Sequence, residues 1–158
     1  MASVVGVGDM RLCAHSGEIL FAPEIGAGIA LALHDNDARV TGILHFLLPS
    51  SEADPVTAVN CPALFADTGI PAFLEAALAL GVCKERARIA LIGGARPFDS
   101  TDFFALGTRN VSAARAILRR EGLHVEDEQV GGTAVRTLRI DASSGSWRVR
   151  REAEEREL

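Results

Sequence analysis

Two short stretches of the chain hold residue types suited to chemistry at a suitable spacing. Gly26-Ala27-Gly28 is a tight glycine turn immediately before an apolar run at residues 29–33. His45 stands in the next apolar run, in His45-Phe46-Leu47-Leu48-Pro49. A turn that opens one strand, with an imidazole on its neighbour, is how a hydrolase presents a nucleophile to its base. No Ser, Thr or Cys occupies the turn. The same Gly-x-Gly also reads as a plain tight turn, because the third glycine of a dinucleotide fingerprint is missing and a strand follows where that fingerprint needs a helix. His45 alone reads equally as a core histidine.

Three thiols remain as substitutes. Cys61 ends the segment that leaves His45, Cys13 lies on an early strand and Cys83 follows a helix, and each also reads as a small apolar residue. An odd number of cysteines without a CxxC pair predicts neither disulfides nor a zinc knuckle, and Cys13 with His15 supplies only half a tetrahedral metal site. No metal or cofactor is expected, and the compartment expected is the reducing cytoplasm. The formal net charge of -5 gives no reason to expect nucleic acid or an anionic membrane. No basic stretch precedes an apolar run at the N-terminus, and no apolar run approaches the ~20 residues of a bilayer span, so neither export nor insertion is expected.

The elements that would position these residues are those of one globular domain at residues 1–150, with a charged tail at 151–158. Apolar runs at residues 4–7, 10–14, 18–21, 29–33 and 40–47, broken by glycines and by His34-Asp35-Asn36-Asp37, predict a sheet built from hairpins. Residues 49–61 show turn formers and no period, which predicts a surface loop. A helix follows, with Asp67 or Thr68 as N-cap, Phe73, Leu74, Ala77 and Leu78 as its apolar stripe, and Gly81 as its stop. Residues 87–92 predict a strand buried on both faces, ending at Gly93-Gly94-Ala95, where backbone must come close to something. Asn110 is expected to cap a second helix that buries Val111, Ala114, Ile117 and Leu118 and ends at Gly122. Runs at residues 123–130, 134–140 and 147–150 complete the strands, with Ser143-Ser144-Gly145 as a hairpin turn.

In combination the motifs are more specific than any of them alone. VGVGD near the start, the glycine turn, LHFLLP, FADTGI, IGGARPF, LGTRNV, VGGTAVRTL and SGSWRV follow one another in an order that resembles the chemoreceptor glutamine deamidase family, CheD, over residues 5–150. The strongest matches are Gly93-Gly94-Ala95 with Phe98, Gly107-x-Arg109-Asn110, and Gly131-Gly132 with Arg136. Arg109 and Arg136 also read as strand-edge or loop-pairing residues.

The resemblance implies an α+β fold, a β-sheet sandwich with flanking helices, that deamidates glutamine side chains on methyl-accepting chemotaxis receptors. It also implies a cysteine nucleophile in a Gly-Ser-Cys turn, a histidine base in the H-x-x-L-P segment and a threonine just upstream. On that alignment His45 keeps the base position, Gly28 stands where the cysteine should be, Ala22 where the threonine should be, and Ala27 where a serine is usual. Glu24 adds a carboxylate near the turn, which opposes thiolate formation. The expectation is therefore a CheD-like protein inactive or severely impaired as a deamidase, acting by binding receptors and a CheC-type phosphatase. The alternative is a deamidase or hydrolase using His45 with a relocated nucleophile such as Cys61.

Overall fold

The computed structural model describes residues 2–96 and 105–152. In chain order its strands are β1 (Ala2–Val4), β2 (Asp9–Ala14), β3 (Ile19–Ile25), β4 (Ile29–Asp35), β5 (Val40–Phe46), β6 (Arg88–Gly93), β7 (Val125–Val130), β8 (Arg136–Asp141) and β9 (Ser146–Arg151). The helices are α1 (Pro55–Asn60), α2 (Ala66–Ala79) and α3 (Leu106–Arg120). The strands form two mixed sheets, one of order β1-β3-β8-β9 and one of order β2-β5-β4-β6-β7. The architecture is the α+β sandwich that the resemblance implied.

Strand alternation shows how the layers stack. On β4, Ile29, Leu31 and Leu33 share a buried cluster with Ile70, Phe73 and Leu74 of α2 and with Val111, Ala114, Ile117 and Leu118 of α3. Ala30 and Ala32 of the same strand turn the other way, toward Leu20, Ala22, Leu138 and Ile140 of the second sheet. The five-stranded sheet thus lies between the helices and the four-stranded sheet, and every residue of β4 and β5 is buried. This is why both strands are mostly apolar along their length. Large side chains face the helices, while alanines on the opposite face let the second sheet pack closely.

Several sequence expectations need correction. His34 to Asp37 does turn β4 into β5, but the early strands are not a hairpin series: β2 pairs with β5 while β3 crosses to the other sheet, beside β1 and β8. Period-2 patterning reports that a strand has a buried face, and it does not name the partner. Residues 49–61 are not a plain loop. They hold a 3₁₀ turn at Ser51–Ala53 and α1, which opens with Asp54 accepting from the Thr57 N–H at 3.1 Å and with Pro55 in its first turn. Both are helix-start signals present in the sequence.

Helix α2 starts at Ala66, so neither Asp67 nor Thr68 is its N-cap; the Asp67 carboxylate instead accepts from the Ser51 N–H and hydroxyl at 2.9 and 2.8 Å. Leu78 lies outside the buried stripe, 44% exposed. Helix α3 starts four residues before Asn110, which is therefore an interior residue and not a cap. Arg151 completes β9, and Phe98 and residues 153–158 lie outside the described residues.

Candidate functional site

The site is built where β3 ends and β4 begins. Near its end β3 carries a register shift between Ala22 and Ile25 against β8, with Glu24 exposed at φ 54°. This bulge lets two residues of odd spacing, Ala22 and Ile25, both enter the inter-sheet layer. The turn Gly26-Ala27-Gly28 follows, and its three carbonyls are all taken. Gly26 O accepts from Ala95 N at 2.9 Å, Gly28 O from Gly94 N at 2.8 Å, and Ala27 O from Asn110 Nδ2 at 2.9 Å. The N–H groups of the same three residues donate to no acceptor among the described residues. A turn anchored through its carbonyls, with its amides unspent, has the polarity an oxyanion site requires.

The glycine doublet explains its own presence here. Gly93 and Gly94 have φ of 124° and 61°, and a Cβ on Gly93 would run into Gly28 O. Arg136 sets its Nη1 on the Gly93 carbonyl at 3.2 Å and is itself 6% exposed; burial, then repulsion from Arg151, pulls its pKa down.

Asn110 is the residue that sequence reasoning assigned wrongly. Its amide is fully buried and donates to Leu47 O at 2.7 Å as well as to Ala27 O, so one side chain ties the turn to the end of β5. Its Oδ1 has no partner among the described residues. The available signal was its position, three residues after buried Gly107 and four before buried Ala114, on the apolar stripe of α3.

His45 pairs with Ala30 of β4 and Asp9 of β2. Its ring therefore shares the inter-sheet face with Ala30. Nδ1 lies 3.2 Å from the carbonyl of Val5, the first residue of the VGVGD stretch. A carbonyl only accepts, so Nδ1 carries the proton and Nε2 is the basic nitrogen. Nε2 is buried without a partner among the described residues. Burial lowers the pKa of His45 against the opposing pull of the Val5 carbonyl, and the imidazole is held neutral. Gly28 stands one step before the first β4–β5 pair, Ile29 with Phe46. That makes it the diagonal neighbour of His45, at a typical spacing of about 7–8 Å.

Gly28 is not in the left-handed region. A Cβ there would nevertheless lie 2.6 Å from Phe46 O and 3.5 Å from the Leu47 Cα. Ala22, on β3, brings only a methyl group to the layer. The cysteines are occupied elsewhere. Cys61 Sγ donates to Gly8 O at 3.2 Å, Cys13 Sγ to Thr41 O at 3.6 Å, and Cys83 Sγ to a Glu85 carboxylate oxygen at 2.7 Å. Cys61 comes near His45 only through the backbone, since the Gly8 N–H donates to His45 O at 2.8 Å. Arg109 is exposed. Among the described residues no group of three potential metal ligands occurs, and no helix is long and apolar enough to cross a membrane.

Residues 47–151 match the family described as CheD chemotactic sensory transduction, a span that begins after both the glycine turn and His45. Similarity to individual proteins reaches further. The chain is 36% identical over 155 residues to a probable chemoreceptor glutamine deamidase CheD of Solibacter usitatus, covering 98% of this chain and 92% of that one. It is 38% identical over 141 residues to a probable chemoreceptor glutamine deamidase CheD 2 of Anaeromyxobacter dehalogenans, covering 89% of each. A third, CheD 1 of Syntrophus aciditrophicus, is 34% identical over 142 residues, covering 90% and 89%. With the sandwich, the anchored turn and the histidine beside it, these similarities lead to one conclusion: the chain belongs to the CheD family.

Proposed function

We propose that this chain is a binding member of the CheD family that engages chemoreceptors in the cytoplasm without deamidating them at an appreciable rate. The observation that carries this reading is Gly28. Amide hydrolysis through a covalent intermediate needs an atom to attack the glutamine carbonyl, expel ammonia and hold the acyl group until water releases it. Gly28 has no such atom, and the carbonyl oxygen of Phe46 lies only 2.6 Å from where its Cβ would be. In a triad enzyme, loss of the nucleophile reduces turnover on the order of a million-fold.

The relatives are named as probable chemoreceptor glutamine deamidases, which supports a receptor as partner, and a CheC-type phosphatase is proposed beside it. The competing reading, a hydrolase in which His45 activates water or Cys61 attacks, draws on the unpartnered Nε2. The hydrogen bond from Cys61 Sγ to Gly8 O weighs against the thiol.

One experiment separates the readings. Receptor cytoplasmic fragments are incubated with the protein and glutamine-to-glutamate conversion is followed by mass spectrometry, with binding measured in parallel. Binding without conversion is expected. Conversion that disappears in His45→Ala or Cys61→Ser would establish the hydrolase. The triple variant Gly28→Cys/Ala22→Thr/Ala27→Ser is expected to gain detectable conversion, because the turn amides and His45 remain in place. A well-folded triple variant that stays inactive would mean more than the nucleophile has been lost.

A further inference from the structure

The outer face of the four-stranded sheet gathers positive charge with little anion to meet it. The hairpin of β8 and β9, residues 136–151, holds Arg136, Arg139, Arg148, Arg150 and Arg151 against a single acid, Asp141, in a chain whose formal net charge is -5. Among the described residues none of these five arginines is in an ion pair, whereas Arg11, Lys84, Arg86, Arg88 and Arg115 each meet a carboxylate. Leu138 and Ile140 turn into the inter-sheet layer. Alternation therefore sends Arg139, Arg148 and Arg150 outward, and all three are exposed.

The register sets Arg139 directly opposite Arg148. Like charges in that relation destabilise a strand pair. Between them lies a cleft of about 190 Å³, lined also by Asp141, Ser144 and Ser146. One oxygen of Asp141, Oδ1, accepts from the Ser143 N–H and hydroxyl at 2.9 and 2.6 Å; these bonds, with a smaller contribution from the Arg139 charge, lower its pKa, so the cleft's own carboxylate offsets part of the arginine charge. Next to the arginines the face becomes apolar. The Arg139 guanidinium sits 5.7 Å from the Phe21 ring centroid, and Val4, which pairs with Phe21, is 65% exposed.

We propose that this face docks an acidic segment of a partner protein, with one of its carboxylates bridging Arg139 and Arg148 and an apolar residue covering Phe21 and Val4. Paired guanidinium forks suit carboxylates, and the neighbouring apolar strip suits a side chain more than a phosphate backbone. A short segment meets the local patch, whereas a long polyanion also meets the negative remainder of the chain. The face is on the far side of the sheet from the layer that holds His45, so the proposal does not depend on whether the Gly28 site is active.

The test is fluorescence anisotropy with a labelled glutamate-rich peptide containing leucines, beside its counterpart with glutamine for glutamate. The glutamate peptide is expected to bind more tightly, and more weakly as salt is raised. Arg139→Glu/Arg148→Glu is expected to weaken it about tenfold or more. Arg119→Glu/Arg120→Glu, at the end of α3, makes the same change in net charge and is expected to leave binding unchanged. Should the reversal lower the melting temperature, Arg139→Gln/Arg148→Gln replaces it, with a smaller loss expected. Equal weakening by the α3 control, no preference for the glutamate peptide, or tighter arginine-dependent binding of duplex DNA or phosphatidylserine vesicles would each overturn the proposal.

Discussion

The layer between the sheets holds two buried histidines, one toward each end of the β4–β5 pair, and they resemble each other more than their surroundings do. His45 faces Ala30 across the strands near the glycine turn, and His34 faces Thr41 near the hairpin. Each binds through Nδ1, His45 to a carbonyl and His34 to the Thr41 hydroxyl at 2.7 Å, and each leaves Nε2 without a partner among the described residues. Burial is the largest cause of a lowered pKa in both. A neutral, desolvated imidazole with an unspent nitrogen is therefore a product of sheet packing here and is not in itself a mark of catalysis.

What differs is the company. Beside His45 is a turn whose three amides meet no acceptor among the described residues. At His34 the β8–β9 turn sets Gly145 against one side of the ring, and next to it Asp35 binds Arg86 and the amides of Cys83 and Ala38. His34 also lines a cleft of about 290 Å³ with His15, Ser16, Asn36 and Arg39.

The largest expected effect tests the contact of the β8–β9 turn with His34. Gly145 has φ 73°, and a Cβ there would overlap the His34 imidazole. Gly145→Ala is expected to lower stability in urea by about 2–4 kcal/mol, from backbone strain and overpacking together. A variant as stable as the parent would mean that the turn yields and does not hold the His34 ring.

Gly28→Cys follows, at about 1–3 kcal/mol, through contact with Phe46 O and without any left-handed strain. An unchanged melt would show that β5 yields and that a nucleophile has room. This single variant is also expected to deamidate less than the triple one, because it lacks the threonine at position 22 and the serine at position 27.

Asp35 sharpens the contrast through pH. Burial pushes its carboxyl up, but the Arg86 guanidinium and the Cys83 and Ala38 amides outweigh burial and hold it at about 2, below its ordinary 3.8. A depressed carboxylate pKa contributes stability above the unfolded value that is lost as pH falls through the folded one. Asp35→Asn is therefore expected to cost about 1–2 kcal/mol at neutral pH, allowing for solvent around Arg86, and to flatten the acid limb of the stability curve between about pH 4 and 2.

The histidines give the smallest effect, in a separate window. With folded pKa values below the ordinary 6.5, each takes up its proton more readily when unfolded, so stability falls as pH drops below about 6.5. His45→Gln and His34→Gln should each remove part of that slope in pH-dependent urea melts. A slope carried wholly by one of them would break the likeness between the two ends.

Much of this was written along the chain. The apolar run at residues 87–92 marks β6 as covered on both sides, and Gly93-Gly94 announces a close backbone approach, because a Cβ there has nowhere to go. The motif order points to the family, and the absence of any Ser, Thr or Cys from the turn was visible before any fold was known. Asp54-Pro55 also announced α1, although the aperiodic stretch around it read as loop. Tertiary structure decided the rest. Strand patterning specifies a buried face and no partner, so the crossing of β3 to the second sheet could not be read from it. Nor could the positions of groups that meet across long separations: Asn110 on Ala27 and Leu47, the Val5 carbonyl on His45, and the Cys61 sulfur turned to Gly8. These contacts exist because burying a polar group demands a hydrogen bond, and which partner supplies it depends on the three-dimensional packing and not on the local sequence.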